Sequence, residues 1–359
     1  MKEGVGKRRQ FALPSQQPRN TNLTVVWPRV IIKYEVLWQV WGRLTMKSQN
    51  ATLSIPRSSA RPRFTPRVRE AIDFYAYVSP WVIGFIVFTL GPLLASIAIA
   101  LTNWDILSPA KFVGLGNFQR MLTKDRLFGT SLRVTAIYSF AGIPLRLSLA
   151  LLVAILLNQP LKAKALMRTL YYTPSVVSGV GVALLWMWVF NPDFGVINFL
   201  LAKIGIQGPG WVYSKDWALF SLILMSLWGV GQPMVIFLAS LQGVPQTLYE
   251  AAEIDGAGTW HKFTSVTFPS ISPVILFNLV MGIIGSFQVF TQAFIMTEGG
   301  PSYATYFYVL NLYYNAFRDF RMGYGCALAW VLFAIILVLT LLVFRSTAVW
   351  LYYEGERKR

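Results

Sequence analysis

The stretch CALAWVLFAIILVLTLLVF, from Cys326 to Phe344, decides the fold class of this chain, because its most polar side chain is that of Thr340. A helix that crosses a bilayer needs about 20 predominantly apolar residues. The remainder of the chain agrees, since 55% of its 359 residues are hydrophobic and only 13% are charged. Soluble domains carry roughly 25% charged residues. The sequence therefore predicts an all-α, polytopic membrane protein.

Five further apolar stretches are long enough to cross a bilayer. Together the six predicted transmembrane helices occupy about residues 79–102, 132–157, 168–190, 217–241, 271–296 and 323–345. They form one predicted domain over residues 71–350, with a short C-terminal tail at 351–359. The first four each contain a proline, at Pro92, Pro144, Pro174 and Pro233, which predicts kinked helices whose freed backbone groups are satisfied by neighbouring helices. A transporter fits this pattern better than a simple anchor.

The basic charge of the chain lies mainly in its N-terminal tail. The formal net charge is +17, and residues 1–77 hold 14 Lys/Arg against 4 Asp/Glu. A nucleic-acid-binding protein would carry basic residues on a folded face with interleaved aromatics, which this sequence lacks. We expect residues 1–70 to be a disordered cytoplasmic tail beside anionic lipid. Alternatively, residues 25–44 form an interfacial amphipathic helix, or Met46 is the true start.

The distribution of Lys and Arg near the span ends predicts the orientation. Six spans place both termini on one side, which receives twelve such residues against eight on the other. Positive charge favours the cytoplasmic side. We therefore expect both termini in the cytoplasm of a bacterial or archaeal cell, with the chain in the inner membrane.

The predicted spans lack the groups that most enzymes and ion-coupled carriers use. They contain no carboxylate, Lys or His, and Arg146 is the only charge well inside a span. The chain has no GxxxxGK[ST] phosphate loop, and its single histidine, His261, belongs to no cluster with metal-ligand spacing. We expect neither an enzyme nor a bound cofactor. The energy for transport would come from another subunit.

The hydrophilic connection at residues 243–270 is acidic, alanine-rich and broken by glycines. Thr247 and Glu250 have the spacing of a capping box, and Pro245 suits a helix start. A short helix is expected up to the Asp255–Gly258 turn, and a second short helix from Thr259 to about Val266. A proline-rich segment at the membrane interface is then expected to lead into the fifth span. Such a helix could fit a groove of another protein, or it could be an ordinary loop on the lipid headgroups.

This connection resembles the EAA motif of ATP-binding-cassette importer permeases. Glu250-Ala251-Ala252 is followed after three residues by Gly256, and after nine more by Val266-Thr267-Phe268-Pro269. The family pattern is E-A-A-x3-G-x9-I-x-L-P, so Val266 and Phe268 replace Ile and Leu. In this family the loop docks into a cleft on a cytoplasmic ATPase. The resemblance implies that Glu250, Ala251, Ala252, Asp255 and Gly256 couple the chain to that ATPase.

Other segments are similar to the carbohydrate-type permeases of the maltose and glycerol-phosphate kind. These segments are FVGLGNF at 112–118, residues 166–198, TEGGP at 297–301 and residues 313–330. The resemblance covers about residues 70–350. It implies a type I importer with a second permease subunit, two ATPases that bind ATP and Mg²⁺, and an external solute-binding protein. A sugar is the expected substrate.

Polar side chains within the spans are candidates for the translocation path. Sugars need hydrogen-bonding groups within an otherwise apolar wall. The candidates are Gln232, Asn278, Gln288, Gln292 and Arg146. Gln288 and Gln292 are four residues apart and are expected to share a helix face. The amides could equally hydrogen-bond between helices as packing contacts, and Arg146 could attract an anionic substrate, bind backbone carbonyls or snorkel.

Two other interpretations remain open from the sequence. An importer of the same kind could carry glycerol phosphate, a polyamine or another non-sugar solute. A channel or a membrane scaffold without an energy source is the other possibility, although it gives no reason for the alanine-glycine loop. Four tryptophans near the expected outer span ends, Trp186, Trp188, Trp211 and Trp217, fit an aromatic belt better than sugar stacking.

Overall fold

Helices account for most of residues 66–351, the part of the chain that the computed structural model describes. The first half contains α1 (Pro66–Phe85), α2 (Gly91–Ala100), β1 (Thr102–Asn103), β2 (Lys111–Phe112), α3 (Gly116–Thr123), α4 (Arg126–Asn158), α5 (Lys164–Tyr172), α6 (Gly179–Val189) and α7 (Val196–Lys203). The second half contains α8 (Ala218–Ser226), α9 (Gly231–Gly243), α10 (Gln246–Ile254), α11 (Thr259–Lys262), α12 (Phe268–Phe287), α13 (Thr291–Met296), α14 (Tyr308–Tyr313) and α15 (Met322–Trp350).

The number of membrane spans in the structure depends on whether one bent pair of helices is counted as a span. Within residues 66–351, five helical segments are long and apolar enough to cross a membrane, and the pair α5–α6 makes a sixth if it is counted as one span. The two helices of that pair meet at 97°. The stretch predicted as one proline-kinked span over 168–190 therefore contains two helices with a sharp bend between them. Pro174, two glycines and β-branched valines make the connection TPSVVSGVG a poor helix former.

Two spans differ from their predicted bounds. The first is helical from Pro66 through a π-helical turn at Ile86–Leu90 to Ala100, so it starts inside the expected tail. The fifth is helical already from Thr259, through a π-helical turn at Phe263–Thr267 into α12. That turn directly precedes Pro269, which has no N–H for the helical ladder. That the proline-containing start of the fifth span lies at the membrane interface stays a prediction.

The C-terminal halves of the second and fourth spans pack along one apolar stripe on each helix. On α4 the stripe has the spacing i, i+3, i+4, i+7 that places side chains on one face. The same spacing recurs on α9. The buried residues are Ala150, Val153, Ala154 and Leu157 on α4, and Met234, Phe237, Leu238 and Leu241 on α9, with Ile271 of α12.

Buried polar groups fasten the opposite end of the helices. Asn117 on α3 donates hydrogen bonds of 2.8 Å to the carbonyl oxygens of Ala100 and Thr102. The backbone N–H of Tyr308 donates to Thr135 Oγ1 at 2.9 Å, and the Tyr308 hydroxyl donates to the Leu328 carbonyl at 2.9 Å. The first two bonds join α3 to the end of α2 and to β1, and the other two join α14 to α4 and α15, so these short elements are fixed to the spans.

The chain divides into two compact units between Phe74 and Tyr75, and only the start of α1 is described in the first. Most of the expected tail, including Met46, and the C-terminal residues 352–359 lie outside the described residues.

Candidate functional site

The five polar residues predicted from the spans line one cavity of about 590 Å³. Its wall is formed by α4, the α5–α6 connection, the α8–α9 break and α12–α13. The structure thus brings together Arg146, Gln232, Asn278, Gln288 and Gln292. Their part in binding a substrate remains a prediction.

The cavity lies beside two breaks in helices. A 3₁₀ turn at Leu227–Val230 separates α8 from α9, with Gly229 in a non-helical conformation. Residues 288–290 interrupt the helix between α12 and α13. This second break lies between Gln288 and Gln292, so the prediction that they share one regular helix face was wrong. The break turns both side chains toward the cavity.

Arg146 joins α4 to the first of these breaks. Its Nε and one terminal nitrogen donate hydrogen bonds of 3.2 and 2.9 Å to the carbonyl oxygen of Gly229. The residue four positions on is Pro233, which has no N–H to donate to that carbonyl. The sequence left open whether Arg146 binds a carbonyl or faces a cavity, and the structure shows both.

The cavity wall offers hydrogen-bonding amides and aromatic rings. Within residues 66–351, the carboxamides of Gln232, Gln288 and Gln292 make no hydrogen bond to protein atoms. Asn278 differs, because its Nδ2 donates to the Val274 carbonyl at 2.9 Å on its own helix. Three of the four predicted amides therefore remain available to a ligand.

Trp228 was missed by the sequence analysis. It lines the cavity with 38% of its surface exposed and packs edge-on against Trp186. Its position next to Gly229 in the sequence SLWGVGQP was the available signal. Trp211, expected in an aromatic belt, is instead 6% exposed, stacks on Phe190 and donates to Asn198 Oδ1 at 2.6 Å.

The connection at residues 243–270 contains the predicted short helix, but its start differs. Helix α10 begins at Gln246 after Pro245, and no side chain caps it. The predicted capping box of Thr247 and Glu250 was therefore wrong. Pro245 takes the cap position itself, so Thr247 lies inside the first turn, where its hydroxyl is not placed to accept from the third helical N–H.

Gly256 closes α10 in a left-handed conformation with φ of +76°. Its N–H donates to the Glu253 carbonyl at 3.0 Å, and the Ala257 N–H donates to the Ala252 carbonyl at 2.9 Å. This pair of bonds is the Schellman motif. A Cβ at Gly256 would meet nothing within 4 Å. The backbone conformation alone, not close packing, requires glycine.

Two side-chain contacts hold α10 against the segment that leads into α12. The hydroxyls of Tyr249 and Thr267 lie 2.9 Å apart. Lys262 Nζ lies 2.8 Å from Glu253 Oε1, with the side chains 25% and 62% exposed. We call residues 246–267 the clipped loop. Sequence reasoning missed both contacts, because they join positions 9 and 18 residues apart.

One surface of the clipped loop is exposed. Glu250, Ala251, Asp255 and Gly256 are exposed, and Ala252 is half-buried. The large apolar side chains of Ile254 and Trp260 are 88% and 75% exposed. The predicted coupling residues thus lie on a surface that a partner protein could contact.

Comparison with known proteins identifies the family. Residues 146–350 match the family described as "binding-protein-dependent transport system inner membrane component". The chain belongs to this family. The matched segment contains all five cavity residues and the clipped loop.

Two curated relatives cover most of the chain. The probable ABC transporter permease protein YesP of Bacillus subtilis (strain 168) is 43% identical over 294 residues, 81% of this chain and 95% of that protein. The lactose transport system permease protein LacF of Rhizobium radiobacter is 34% identical over 294 residues, 80% of this chain and 95% of that protein. This family member therefore matches permeases along nearly their whole length.

A solved structure shares the fold. A chain in the crystal structure of a bacterial alginate ABC transporter, in complex with an alginate pentasaccharide-bound periplasmic protein, has a TM-score of 0.69 and 22% identity. The match covers 80% of this chain and 97% of that chain. At this identity the likeness concerns the fold alone, and it agrees with the predicted all-α permease architecture.

Proposed function

We propose that this chain is the permease subunit of an ATP-driven importer of saccharides. The observation that carries the proposal is a polar and aromatic cavity, lined by broken helices, in a chain whose relatives are named as sugar-transport permeases. Three unpaired carboxamides can accept and donate hydrogen bonds to hydroxyls, and Trp228 can cover the C–H face of a ring. The chain forms half of the pathway and performs no chemistry.

The partners follow from the family. A second permease subunit, different in sequence, completes the pathway, and two cytoplasmic ATPases bind ATP and Mg²⁺. An extracytoplasmic binding protein delivers the solute. Both termini and the clipped loop face the cytoplasm in this arrangement, and the excess of Lys and Arg near that side supports it.

The clipped loop transmits motion between the ATPase and the cavity. Glu250, Ala251, Ala252, Asp255 and Gly256 contact the ATPase. Because Tyr249–Thr267 and Glu253–Lys262 tie α10 to the start of the fifth span, a displacement of α10 also moves α12. Helix α9 leads directly into α10 and carries Gln232, so both cavity walls move when the ATPases close. The cavity then opens to alternate sides of the membrane.

The test is reconstitution of the complete transporter in proteoliposomes, with a panel of labelled saccharides and matching binding proteins. Uptake that requires ATP and one loaded binding protein would support the proposal. Uptake of a solute without the ATPase would instead indicate a channel, and ATP-dependent uptake confined to a polyamine would make the saccharide assignment wrong.

A further inference from the structure

The charge of the cavity is unbalanced on this chain. Within residues 66–351, Arg146 is the single charged residue among those that line the cavity. The ion pairs of the described chain are Lys262–Glu253 and Arg318–Asp319, so Arg146 has no carboxylate partner there. A charged side chain deep in a membrane span is costly and usually marks a binding or transport path.

Arg146 lies in the interior of α4, far from both of its ends. It lies twelve residues before Asn158, the end of α4, which is about 18 Å along a helix. A side chain that snorkels leaves its charge at the interface, whereas the Arg146 guanidinium is held inside by the Gly229 carbonyl. The charge is kept at the level of the cavity.

The hydrogen bonds to Gly229 do not use all of the guanidinium. Its Nε–H and one terminal N–H bind the single carbonyl, and a guanidinium has five N–H groups in a planar fork. The remaining N–H groups have no protein acceptor within the described chain. A fork of this kind matches the two oxygens of a carboxylate. A purely structural link to one carbonyl would need a donor but no charge.

We infer that the cavity takes a saccharide that carries a carboxylate, which Arg146 binds; this rests on the proposed import of saccharides. The Gly229 carbonyl orients the guanidinium. Gln232, Gln288 and Gln292 bind hydroxyls of the same ligand, and Trp228 covers a ring face. A neutral saccharide would leave the Arg146 charge uncompensated, so the cavity discriminates against it.

The test compares two disaccharides that differ only in charge. Binding of labelled digalacturonate and of the neutral galactobiose is measured on the purified complete transporter in nanodiscs, without binding protein. We expect digalacturonate to bind at least about tenfold more tightly. R146Q, which keeps a donor but loses the charge, should abolish this preference, and R146K should retain part of it. R133Q removes an exposed charge from the same helix and should retain it fully.

Equal binding of the two disaccharides, no binding of digalacturonate, or a preserved preference in R146Q would each overturn the inference. The proposed function fails differently, because no saccharide would then drive ATP-dependent uptake. A transporter that imports neutral saccharides with ATP and binds both probes equally would retain the proposed function and lose only this inference.

Discussion

Lys262 donates to the Glu253 carboxylate across a turn of the clipped loop, with Nζ and Oε1 2.8 Å apart. The pair joins α10 to the helix that continues into the fifth span. Together with the Tyr249–Thr267 contact, it gives the loop two points of attachment, one in the middle of α10 and one near its C-terminal end. A force on α10 is therefore delivered to α12 through side chains as well as through the backbone.

The Glu253–Lys262 pair should contribute little to stability. Glu253 is 62% exposed, and exposed pairs are screened by water. A double-mutant cycle of E253A, K262A and the double variant, followed by thermal unfolding, should give a coupling energy of about 0.2–1 kcal/mol. Strictly additive effects would show that the pair contributes nothing in solution.

Gly256 should be needed for its left-handed backbone. In G256A the same conformation costs about 1–2 kcal/mol, so the amides of Gly256 and Ala257 should exchange hydrogen roughly five- to thirtyfold faster. G258A is the matched control, since Gly258 has φ of −70° and also has open space. Equal exchange in the two variants would contradict this reason for the glycine.

Gly231 should be needed because a larger side chain does not fit at this position. A Cβ there would clash with the Tyr171 carbonyl and lie 2.8 Å from Tyr172 Cα, where the bent third span crosses the start of α9. Overpacking of this kind costs about 1–3 kcal/mol, so G231A should lower the melting temperature of the purified transporter. G285A, whose added methyl group meets nothing within 4 Å, should not. Unchanged melting of G231A would show that the two spans can separate freely.

Asn117 should stabilise the C-terminal end of the first span. N117A removes both hydrogen bonds to the Ala100 and Thr102 carbonyls, and leaving such groups unpaired costs about 1–3 kcal/mol. Thermal unfolding should show this loss, whereas Q119A on the exposed face of α3 should unfold like the wild type. If the two alanine variants melt alike, water replaces the amide at no cost.

The spans and the helix of the clipped loop could be predicted because their signals are local. Hydropathy over about 20 residues gives the spans, and the alanine-glycine pattern at 250–256 gives the short helix and its end. The bend in the third span was harder, because the valines around Pro174 are as apolar as a straight span. Hydropathy measures composition and contains no information on the direction in which a helix runs.

The cavity could be predicted only in part. Polar residues in apolar spans are conspicuous, and all five line the cavity. Trp228 was not found, because its sequence surroundings resemble those of the tryptophans predicted to form an aromatic belt. Only the break at Gly229 places it in the cavity wall. The Gly229 carbonyl that holds Arg146 is 83 residues away in the chain. Such a contact depends on the packing of α4 against the break, which spacing does not encode.

The most direct test of the central claim is the stimulation of ATP hydrolysis by loaded binding protein in the reconstituted transporter, compared between wild type and E250A. Glu250 is exposed on the clipped loop and makes no hydrogen bond with its side chain in the described chain. E250A should therefore fold and assemble. If Glu250 meets a basic group of the ATPase, stimulation should fall by about tenfold or more, as expected for a lost charge-assisted hydrogen bond. Full stimulation in E250A would contradict the assignment of the clipped loop as the coupling element.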